Sequence, residues 1–317
     1  MIQLDASALA ARLDRGRLID ALDAAFRSPH VVPGRMHCEI EAAVPGRRAG
    51  TLLLMPAWNV GGSIGIKVAT IFPDNALRGL PAVAATYLLL DASTGQPRAT
   101  LDGTELTLRR TGAASALASR YLSVPAASRL TMVGTGRLAP HLIESHAATR
   151  PIREVLIWGR DAGRARALAD SMVRPGRAIQ ATEDLEGAVR WADVVSCATL
   201  SRKPLVLGAW LREGQHLDLV GAFTPEMCEA DDLALGRSEL FVDTRIGAMA
   251  ESGEIIGALA RGVISERSIR AEFSELPTGR FTRSSPASVT LFKSVGTALE
   301  DLVAAELAIA TATPLRS

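Results

Sequence analysis

Residues 130–140, with the sequence LTMVGTGRLAP, decide the fold of this 317-residue chain. A short apolar run ends at Val133, and Gly134, Gly136 and Ala139 follow in the spacing G-x-G-x-x-A before a helical pattern begins. In a strand–turn–helix unit, the first glycine permits the tight turn, the second lets the backbone approach a pyrophosphate, and the small third residue lets the helix pack on the strand. The N-terminus of that helix presents free N–H groups and the positive end of its dipole to the anion. The stretch therefore predicts a dinucleotide-binding unit.

The next strand, predicted at Glu154–Trp158, indicates which nucleotide binds. Sites for NAD place Asp or Glu at the end of this strand to accept a hydrogen bond from the ribose 2′-OH, whereas an Arg there accommodates a 2′-phosphate. The first polar residue after this strand is Arg160, and a guanidinium pairs well with phosphate. Asp161 follows and suits the N-cap of a helix that begins near Ala162. We therefore expect NADPH; NADH is the alternative if Arg160 is solvated and Asp161 reaches the ribose.

Composition limits the function classes. The formal net charge is +1, from 35 basic and 34 acidic residues, which argues against a nucleic-acid partner or a membrane-surface role. The longest apolar run, residues 81–90, is too short to span a bilayer. Three widely spaced cysteines, Cys38, Cys197 and Cys228, favour a reducing, cytoplasmic compartment, and no cluster has the spacing of metal ligands, so we expect no metal site.

The order of hydrophobic patterns predicts an α/β protein of two domains. Residues 5–27 show helical periodicity, and strand-like runs at 51–55, 63–71, 84–90 and 99–102 follow. A helix is predicted at 111–122, and strands and helices then alternate as a doubly wound Rossmann sheet requires, with further strands at 193–198, 216–220 and 240–242. A helical pattern from residue 289 ends the chain. We therefore expect residues 124–288 to form the Rossmann domain, and residues 1–123 plus 289–317 to form an α+β domain.

Three cations outside the Rossmann domain are candidates for binding a small carboxylate. Arg35 follows a Pro-Gly turn, Lys67 interrupts an apolar strand, and Arg110 is predicted at the start of a helix, where its charge opposes the helix dipole and needs an anionic partner. Burial disfavours the charged form of a lysine, so Lys67 would have a tunable pKa. Taken alone, a residue of this kind is more often a snorkelling or salt-bridged surface residue.

These positions belong to a wider set of motifs, and through them the chain resembles the ornithine cyclodeaminase/mu-crystallin family over nearly its whole length. The matching segments are Met55-Pro56, Gly65-Ile66-Lys67, Gly79-Leu80-Pro81, Asp91 with Thr94-Gly95, Leu101-Asp102-Gly103, Arg110-Thr111 with Ser115-Ala116, Gly134-Thr135-Gly136, residues 290–296 and Glu300-Asp301. The resemblance implies a substrate-binding and dimerisation domain made from both chain ends, an inserted Rossmann domain, and a homodimer.

The resemblance also implies roles for individual residues at a site between the domains. Arg35 and Arg110 would hold the substrate carboxylate, and Lys67 would orient the substrate or supply a proton. The residues that the resemblance implies for cofactor binding are Arg110, Thr111, Gly134, Thr135, Gly136, Arg137, Leu138, Gly159, Arg160, Asp161, Arg164, Thr199, Leu200, Val220, Ser294 and Val295.

Departures from the family pattern narrow the expected activity. Cyclodeaminases of the family carry an aspartate a few residues after the strand that matches 216–220, and this chain has Phe223 there. A phenyl ring can neither accept nor donate a proton, so Phe223 opposes ornithine deamination and would instead give the substrate ring an apolar wall. The strand end at Gly159-Arg160 resembles members of the family that consume NADPH.

We therefore expect a ketimine reductase of proline metabolism that uses NADPH to convert Δ1-pyrroline-2-carboxylate into L-proline, with the six-membered piperideine analogue, which would give L-pipecolate, as a second substrate. An imine accepts hydride readily when its nitrogen is protonated, and Lys67 is the candidate proton source. The alternatives are an ornithine cyclodeaminase, an alanine dehydrogenase that acts on a keto acid and ammonia, and a non-catalytic protein that binds a small ligand together with NADPH.

Overall fold

The computed structural model describes residues 1–42, 44 and 46–310, and these fall into two compact units. The first unit comprises Met1–Arg110 and Thr297–Ser317, and the second comprises Thr111–Gly296. The divisions thus lie at 110/111 and 296/297, whereas the sequence predicted 123/124 and 288/289. No helix among the described residues is long and apolar enough to cross a membrane.

A six-stranded sheet forms the centre of the first unit. Its strands are β1 (Ile2–Leu4), β2 (Met36–Ile40), β3 (Gly50–Trp58), β4 (Ser63–Ile71), β5 (Val83–Asp91) and β6 (Pro97–Asp102). They lie in the order β1-β6-β5-β4-β3-β2, and all neighbours are antiparallel except β1 and β6. The helices of this unit are α1 (Ala6–Arg12), α2 (Arg15–Phe26), the first part of α3 (Gly103–Leu122), and α10 (Ala298–Ala310) from the other end of the chain. Helix α10 packs on α2 and on strands β3, β4 and β5.

The predicted single helix over residues 5–27 is two helices. Asp14 ends the first pattern and begins the second, because its side chain accepts a hydrogen bond from the backbone N–H of Arg17 and so caps α2. The apolar periodicity continues through this break, since Leu9, Leu13, Leu18 and Leu22 are all buried. The helical periodicity alone therefore did not indicate the break between the two helices at Asp14.

The second unit is built on an eight-stranded parallel sheet. Its strands are β7 (Arg129–Val133), β8 (Glu154–Trp158), β9 (Ala178–Thr182), β10 (Val194–Cys197), β11 (His216–Leu219), β12 (Glu239–Val242), β13 (Ile269–Glu272) and β14 (Thr290–Lys293). They lie in the order β13-β12-β14-β11-β10-β7-β8-β9, in which the chain starts at β7 and extends to both sides, as in a doubly wound Rossmann sheet. Its helices are α4 (Ala139–Thr149), α5 (Ala162–Ser171), α6 (Leu185–Trp191), α7 (Asp232–Gly236), α8 (Arg245–Glu251) and α9 (Gly253–Ala260). The predicted fold class is confirmed.

The helix predicted from residue 289 is wrong at its start, because Thr290–Lys293 is strand β14 and the helix begins at Ala298. All four residues of β14 are buried between β11 and β12. A strand that is buried on both faces shows no alternation of polar and apolar residues, so the sequence pattern could not distinguish it from a buried helix.

Candidate active site

The turn after β7 has the backbone geometry that a dinucleotide requires. Gly134 has a φ of 123°, and a Cβ at this position would lie 2.5 Å from the carbonyl oxygen of Ala198, so only glycine fits. A Cβ at Gly136 would meet no atom within 4 Å, which leaves space beside the backbone of the turn. Thr135 is half-buried and Arg137 is exposed. The turn is thus tight at its first glycine and open at its second.

Helix α4, which follows this turn, begins without a side-chain cap. Leu138 occupies the N-cap position, no acidic residue lies in the first turn, and Ala139 is fully buried against the core. The backbone N–H of Ala139 donates a hydrogen bond of 3.1 Å to the carbonyl oxygen of Gly136 and Pro140 has no N–H, so this end of α4 attracts an anion chiefly through the positive end of the helix dipole. An anion such as a pyrophosphate fits this end of α4.

The end of β8 presents an arginine to solvent. Gly159 follows the strand, and Arg160 is exposed. Asp161 is the N-cap of α5, and its Oδ1 atom accepts a hydrogen bond of 3.1 Å from the backbone N–H of Arg164. One oxygen of Asp161 is therefore engaged in capping, while the Arg160 guanidinium is accessible to a phosphate.

The other predicted cofactor residues of the second unit follow three neighbouring parallel strands. Thr199 and Leu200 come after β10, Val220 follows β11, and Ser294 with Val295 follows β14. These strands pair in register with one another, and β10 pairs with β7, so their carboxyl ends lie at the same edge of the sheet as Gly134. Ligands of doubly wound sheets bind at this edge.

Asp243, which sequence reasoning missed, holds the residues after β14 in place. Its Oδ2 atom accepts hydrogen bonds from the backbone N–H groups of Val295 (2.7 Å) and Gly296 (2.6 Å) and from the hydroxyl of Ser294 (3.1 Å). Burial raises the pKa of this carboxyl, and the N–H donors oppose that rise. An acidic residue directly after an apolar strand was the available sequence signal.

In the first unit, Lys67 is buried and paired with an acid. It lies on the face of β4 that packs against α10, and its Nζ atom is 2.7 Å from Oδ2 of Asp301 and 3.5 Å from the hydroxyl of Thr107. The side chain of Lys67 is 5% exposed and that of Asp301 is fully buried. A buried ion pair of this kind places the ammonium at a fixed position.

Arg110 joins the same cluster, but not as a residue at a helix start. Helix α3 begins at Gly103, where Asp102 accepts a hydrogen bond from the backbone N–H of Glu105, so Arg110 lies inside the helix and the predicted start at Thr111 is wrong. The expected anionic partners are present, since Nε of Arg110 binds Asp301 at 2.9 Å and Nη1 binds Glu300.

The charges of this cluster shift one another's pKa values. Burial lowers the pKa of Lys67 to about 8; Asp301 opposes this change, whereas Arg110 and Arg35 add to it. Burial would also lower the pKa of Arg110, but Asp301 and Glu300 raise it overall, so the guanidinium stays charged. Lys67 can therefore lose or gain a proton near neutral pH, while Arg110 cannot.

Sequence reasoning assigned no role to Tyr87, Glu300 or Asp301, although the last two belonged to a family motif. Tyr87 pairs with Lys67 across β4 and β5 and is fully buried, and its hydroxyl has no hydrogen-bond partner among the described residues.

Phe223 is half-buried after β11 in the second unit, whereas Arg35, Lys67 and Arg110 belong to the first. The described residues include no group of three or more His, Cys, Asp or Glu side chains that could hold a metal ion.

Comparisons with known proteins agree with these features. The model of the ornithine cyclodeaminase/mu-crystallin family matches residues 4–312. The chain is 43% identical over 266 residues to the protein SAR DEFICIENT 4 of Arabidopsis thaliana, covering 81% of this chain and 82% of that protein. It is 36% identical over 288 residues to a Δ1-pyrroline-2-carboxylate reductase of Paracoccus denitrificans, covering 90% of each.

A solved structure extends this likeness to the whole fold. The Δ1-pyrroline-2-carboxylate reductase of Thermococcus litoralis, solved in complex with NADH and L-proline, superposes with a TM-score of 0.92 at 34% identity. The match covers 98% of this chain and 97% of that one.

Proposed function

The chain belongs to the ornithine cyclodeaminase/mu-crystallin family, and from this premise we propose that it reduces cyclic ketimines, converting Δ1-pyrroline-2-carboxylate into L-proline at the expense of NADPH. The observation that carries the proposal is the buried ammonium of Lys67, whose pKa of about 8 suits a proton donor, beside the permanently charged Arg110. The similarity to reductases of Δ1-pyrroline-2-carboxylate supports the same substrate class.

The second unit offers the parts that fit a nicotinamide nucleotide. The open backbone at Gly136 and the uncapped start of α4 would receive the pyrophosphate, and Arg160 would pair with the 2′-phosphate of NADPH. Thr199, Val220 and Val295 would line the rest of the nucleotide at the same sheet edge. When bound, the reduced nicotinamide supplies the hydride that the imine carbon accepts.

The first unit supplies the groups that bind and activate the imino acid. Arg110 commits Nε and Nη1 to Asp301 and Glu300, so its remaining Nη2 amino group would bind the substrate carboxylate together with Arg35. Lys67 would donate its proton to the ring nitrogen as the carbon accepts hydride, and Asp301, hydrogen-bonded to Arg110 and paired with Lys67, holds both cations in place. Lys67 and Arg110, both held by Asp301, would orient the ring of the imino acid, and such orientation lowers the barrier to hydride transfer. The role of Phe223 as an apolar wall for the ring stays a prediction, since Phe223 belongs to the second unit and the cations to the first.

A homodimer is part of the proposal, and the six-stranded sheet offers the surface. Helix α10 covers one face, and alternating residues of β3, β4 and β5 leave the other face apolar and partly exposed. On that face Pro56 pairs with Ile66, which pairs with Leu88, and Val68 is 38% exposed. A contiguous apolar surface on a sheet is typical of an interface, and a second copy of the chain would cover it.

The test of the activity is the loss of NADPH absorbance with freshly generated Δ1-pyrroline-2-carboxylate. Parallel reactions would contain the piperideine analogue, pyruvate plus ammonia, and L-ornithine with NAD⁺. We expect rapid loss of NADPH absorbance with the two cyclic imines, and no reaction with pyruvate plus ammonia or with L-ornithine. Loss only with pyruvate and ammonia would establish an alanine dehydrogenase instead, and turnover of L-ornithine would establish a cyclodeaminase.

The choice of nucleotide is tested by Arg160→Ser. Removal of the guanidinium should raise the KM for NADPH about tenfold or more and leave the KM for NADH nearly unchanged, because the lost contact is a charge-assisted pair with phosphate. Arg166→Ser is the matched control, since Arg166 is exposed on α5, the helix that follows Arg160, and pairs with Glu183. Equal effects on both nucleotides would reject the role of Arg160.

A further inference from the structure

A buried carboxylate, Glu229, joins the two loops that follow β10 and β11. Its Oε1 atom accepts hydrogen bonds from the backbone N–H of Thr199 (2.6 Å) and from the Thr199 hydroxyl (2.8 Å). Its Oε2 atom accepts hydrogen bonds from the backbone N–H groups of Gly221 (2.8 Å) and Ala222 (3.3 Å). Glu229 is fully buried. Each loop is therefore attached to a different oxygen of one carboxylate.

The two loops are also in direct contact at Gly221. A Cβ at this residue would lie 2.1 Å from both the backbone N and O atoms of Thr199 and 2.5 Å from Oε1 of Glu229. No side chain can enter between the loops, so their separation is set by the backbone and by Glu229. Thr199, which makes this contact, and Val220, which directly precedes Gly221, are residues of the proposed nucleotide site.

A second acid and a lysine support Glu229. Oε1 of Glu254 accepts a hydrogen bond of 2.7 Å from the backbone N–H of Glu229, and Oε2 lies 3.1 Å from the Ser252 hydroxyl and 3.4 Å from Nζ of Lys293. Lys293 is the last residue of β14, directly before Ser294. The network therefore reaches the ends of β10, β11 and β14, three of the strands whose ends carry proposed nucleotide residues.

We infer that Glu229 is a positioning residue for the nicotinamide nucleotide: its carboxylate fixes the loops at Thr199 and Gly221 in the arrangement that the nucleotide needs. The inference rests on the proposed use of a nicotinamide nucleotide. Among the described residues, every hydrogen-bond partner of the two Glu229 oxygens is a donor, so the ionised carboxylate satisfies them and a neutral amide cannot. An amide at this position would turn an NH₂ group toward the N–H groups of one loop and release that loop.

The direct test is the affinity for NADH, measured by isothermal titration calorimetry without any imine present. Glu229→Gln should raise the dissociation constant about tenfold, because charge-assisted hydrogen bonds from one loop are lost. Glu226→Gln is the matched control, since Glu226 is exposed three residues earlier and accepts a hydrogen bond from the Thr224 hydroxyl. NADH affinity that is unchanged in Glu229→Gln, or equally reduced in both variants, would overturn the inference.

A pH profile separates positioning from a general loss of structure. Burial raises the pKa of Glu229 to about 7; Lys293 lowers it and Glu254 raises it, and the Cys197 thiol, whose own pKa is raised, stays neutral beside them. NADH affinity of the unaltered protein should therefore fall as the pH decreases from about 8 to about 6, because Glu229 takes up a proton. NADH carries no group that titrates in this range. Glu229→Gln should show a flat profile, and a profile as steep as that of the unaltered protein would contradict the inference.

Thr199→Val provides an independent measurement should Glu229→Gln fail to fold. It removes one hydroxyl donor to Glu229 and leaves the backbone contact, so we expect a smaller loss of NADH affinity, about threefold. No loss in this folded variant would count against the role of Glu229. Calorimetry needs no imine, so it tests nucleotide binding separately from the reaction. If the protein binds NADH tightly through Glu229 but does not reduce the imine, the proposed reaction is rejected and the inference about Glu229 is retained.

Discussion

At the scale of single residues, the pKa of Lys67 connects burial to chemistry. Its ammonium loses hydration on the face of β4 that packs against α10. The attraction of Asp301 offsets only part of the resulting cost of the charge, so the pKa is lowered to about 8. A lysine in water would remain protonated far above neutral pH and would give up its proton poorly. A proton donor works best with a pKa near the working pH, and Lys67 meets this condition.

Lys67→Met should lower kcat for imine reduction by about 10²-fold or more, since a general acid contributes that much. In the unaltered protein, the rate should fall as the pH rises through about 8, because the protonated lysine is the active form and is lost above its pKa. The variant should lose this dependence. Lys203→Met, at an exposed lysine, is the control. Full activity in Lys67→Met would show that the proton comes from elsewhere.

The sequence predicted Lys67, Arg35 and Arg110 as candidates but not the acids that bind Lys67 and Arg110. Arg110 was correctly expected to need an anion, although for the wrong reason, because α3 starts at Gly103 and not at Thr111. Its partners Glu300 and Asp301 lie about 190 residues away along the chain. Only the folded chain brings α10 to α3 and β4, and no local pattern indicates such pairing.

At the scale of elements, α10 is attached to the sheet of its unit by buried charge as well as by apolar packing. Glu300 and Asp301 lie in its first turn, where the helix dipole favours acids, and they bind cations from α3 and β4. A buried charge that loses its partner is far more costly than an apolar contact that is lost. This end of α10 is therefore the sensitive part of the unit.

Asp301→Asn should reduce the free energy of unfolding by about 3 kcal/mol or more, because Lys67 and Arg110 would both lose a buried anion. Denaturant unfolding monitored by circular dichroism measures the change. Glu306→Gln on the same helix is the control and should cost less than about 1 kcal/mol, since an amide oxygen can still accept the hydrogen bond from Asn59. Similar losses in both variants would contradict the importance of the buried ion pairs.

The turn after β7 provides a second element-scale prediction, based on two glycines with different surroundings. Gly134→Ala should lower the thermal unfolding temperature, because Cβ would meet the carbonyl oxygen of Ala198 at a positive φ. Gly136→Ala should leave that temperature nearly unchanged and weaken NADPH binding, because its Cβ would enter the open space beside the turn. Calorimetric titration and thermal melts distinguish the two. Unchanged NADPH binding in Gly136→Ala would place the pyrophosphate elsewhere.

Most elements were predictable where one face of the element is exposed or where capping residues mark an end. Strand β4 and strand β8 have the predicted bounds, and Asp161 begins α5 as its position suggested. Strand β14 was taken for a helix because it is buried on both faces. The early start of α3 had a signal in Asp102, which the sequence argument did not use.

At the scale of the whole molecule, the apolar outer face of the six-stranded sheet predicts a homodimer. Ile66→Glu would place a carboxylate at the centre of this face, between Pro56 and Leu88. The variant should be a monomer by sedimentation velocity, because burying an unpaired charge at an interface is strongly unfavourable. Thr104→Glu, away from that face at the start of α3, is the control. A monomeric unaltered protein, or a variant that remains dimeric, would contradict the proposed interface.

In the proposed reaction, hydride moves from a nicotinamide nucleotide to the imine carbon of a cyclic imino acid. The most direct measurement uses NADPH deuterated at the nicotinamide carbon that transfers hydride, with Δ1-pyrroline-2-carboxylate as substrate and mass spectrometry of the product. We expect L-proline that carries one deuterium on its α-carbon. Absence of labelled proline, with the deuterium either retained on the nucleotide or found only in alanine when pyruvate and ammonia are supplied, would contradict the claim.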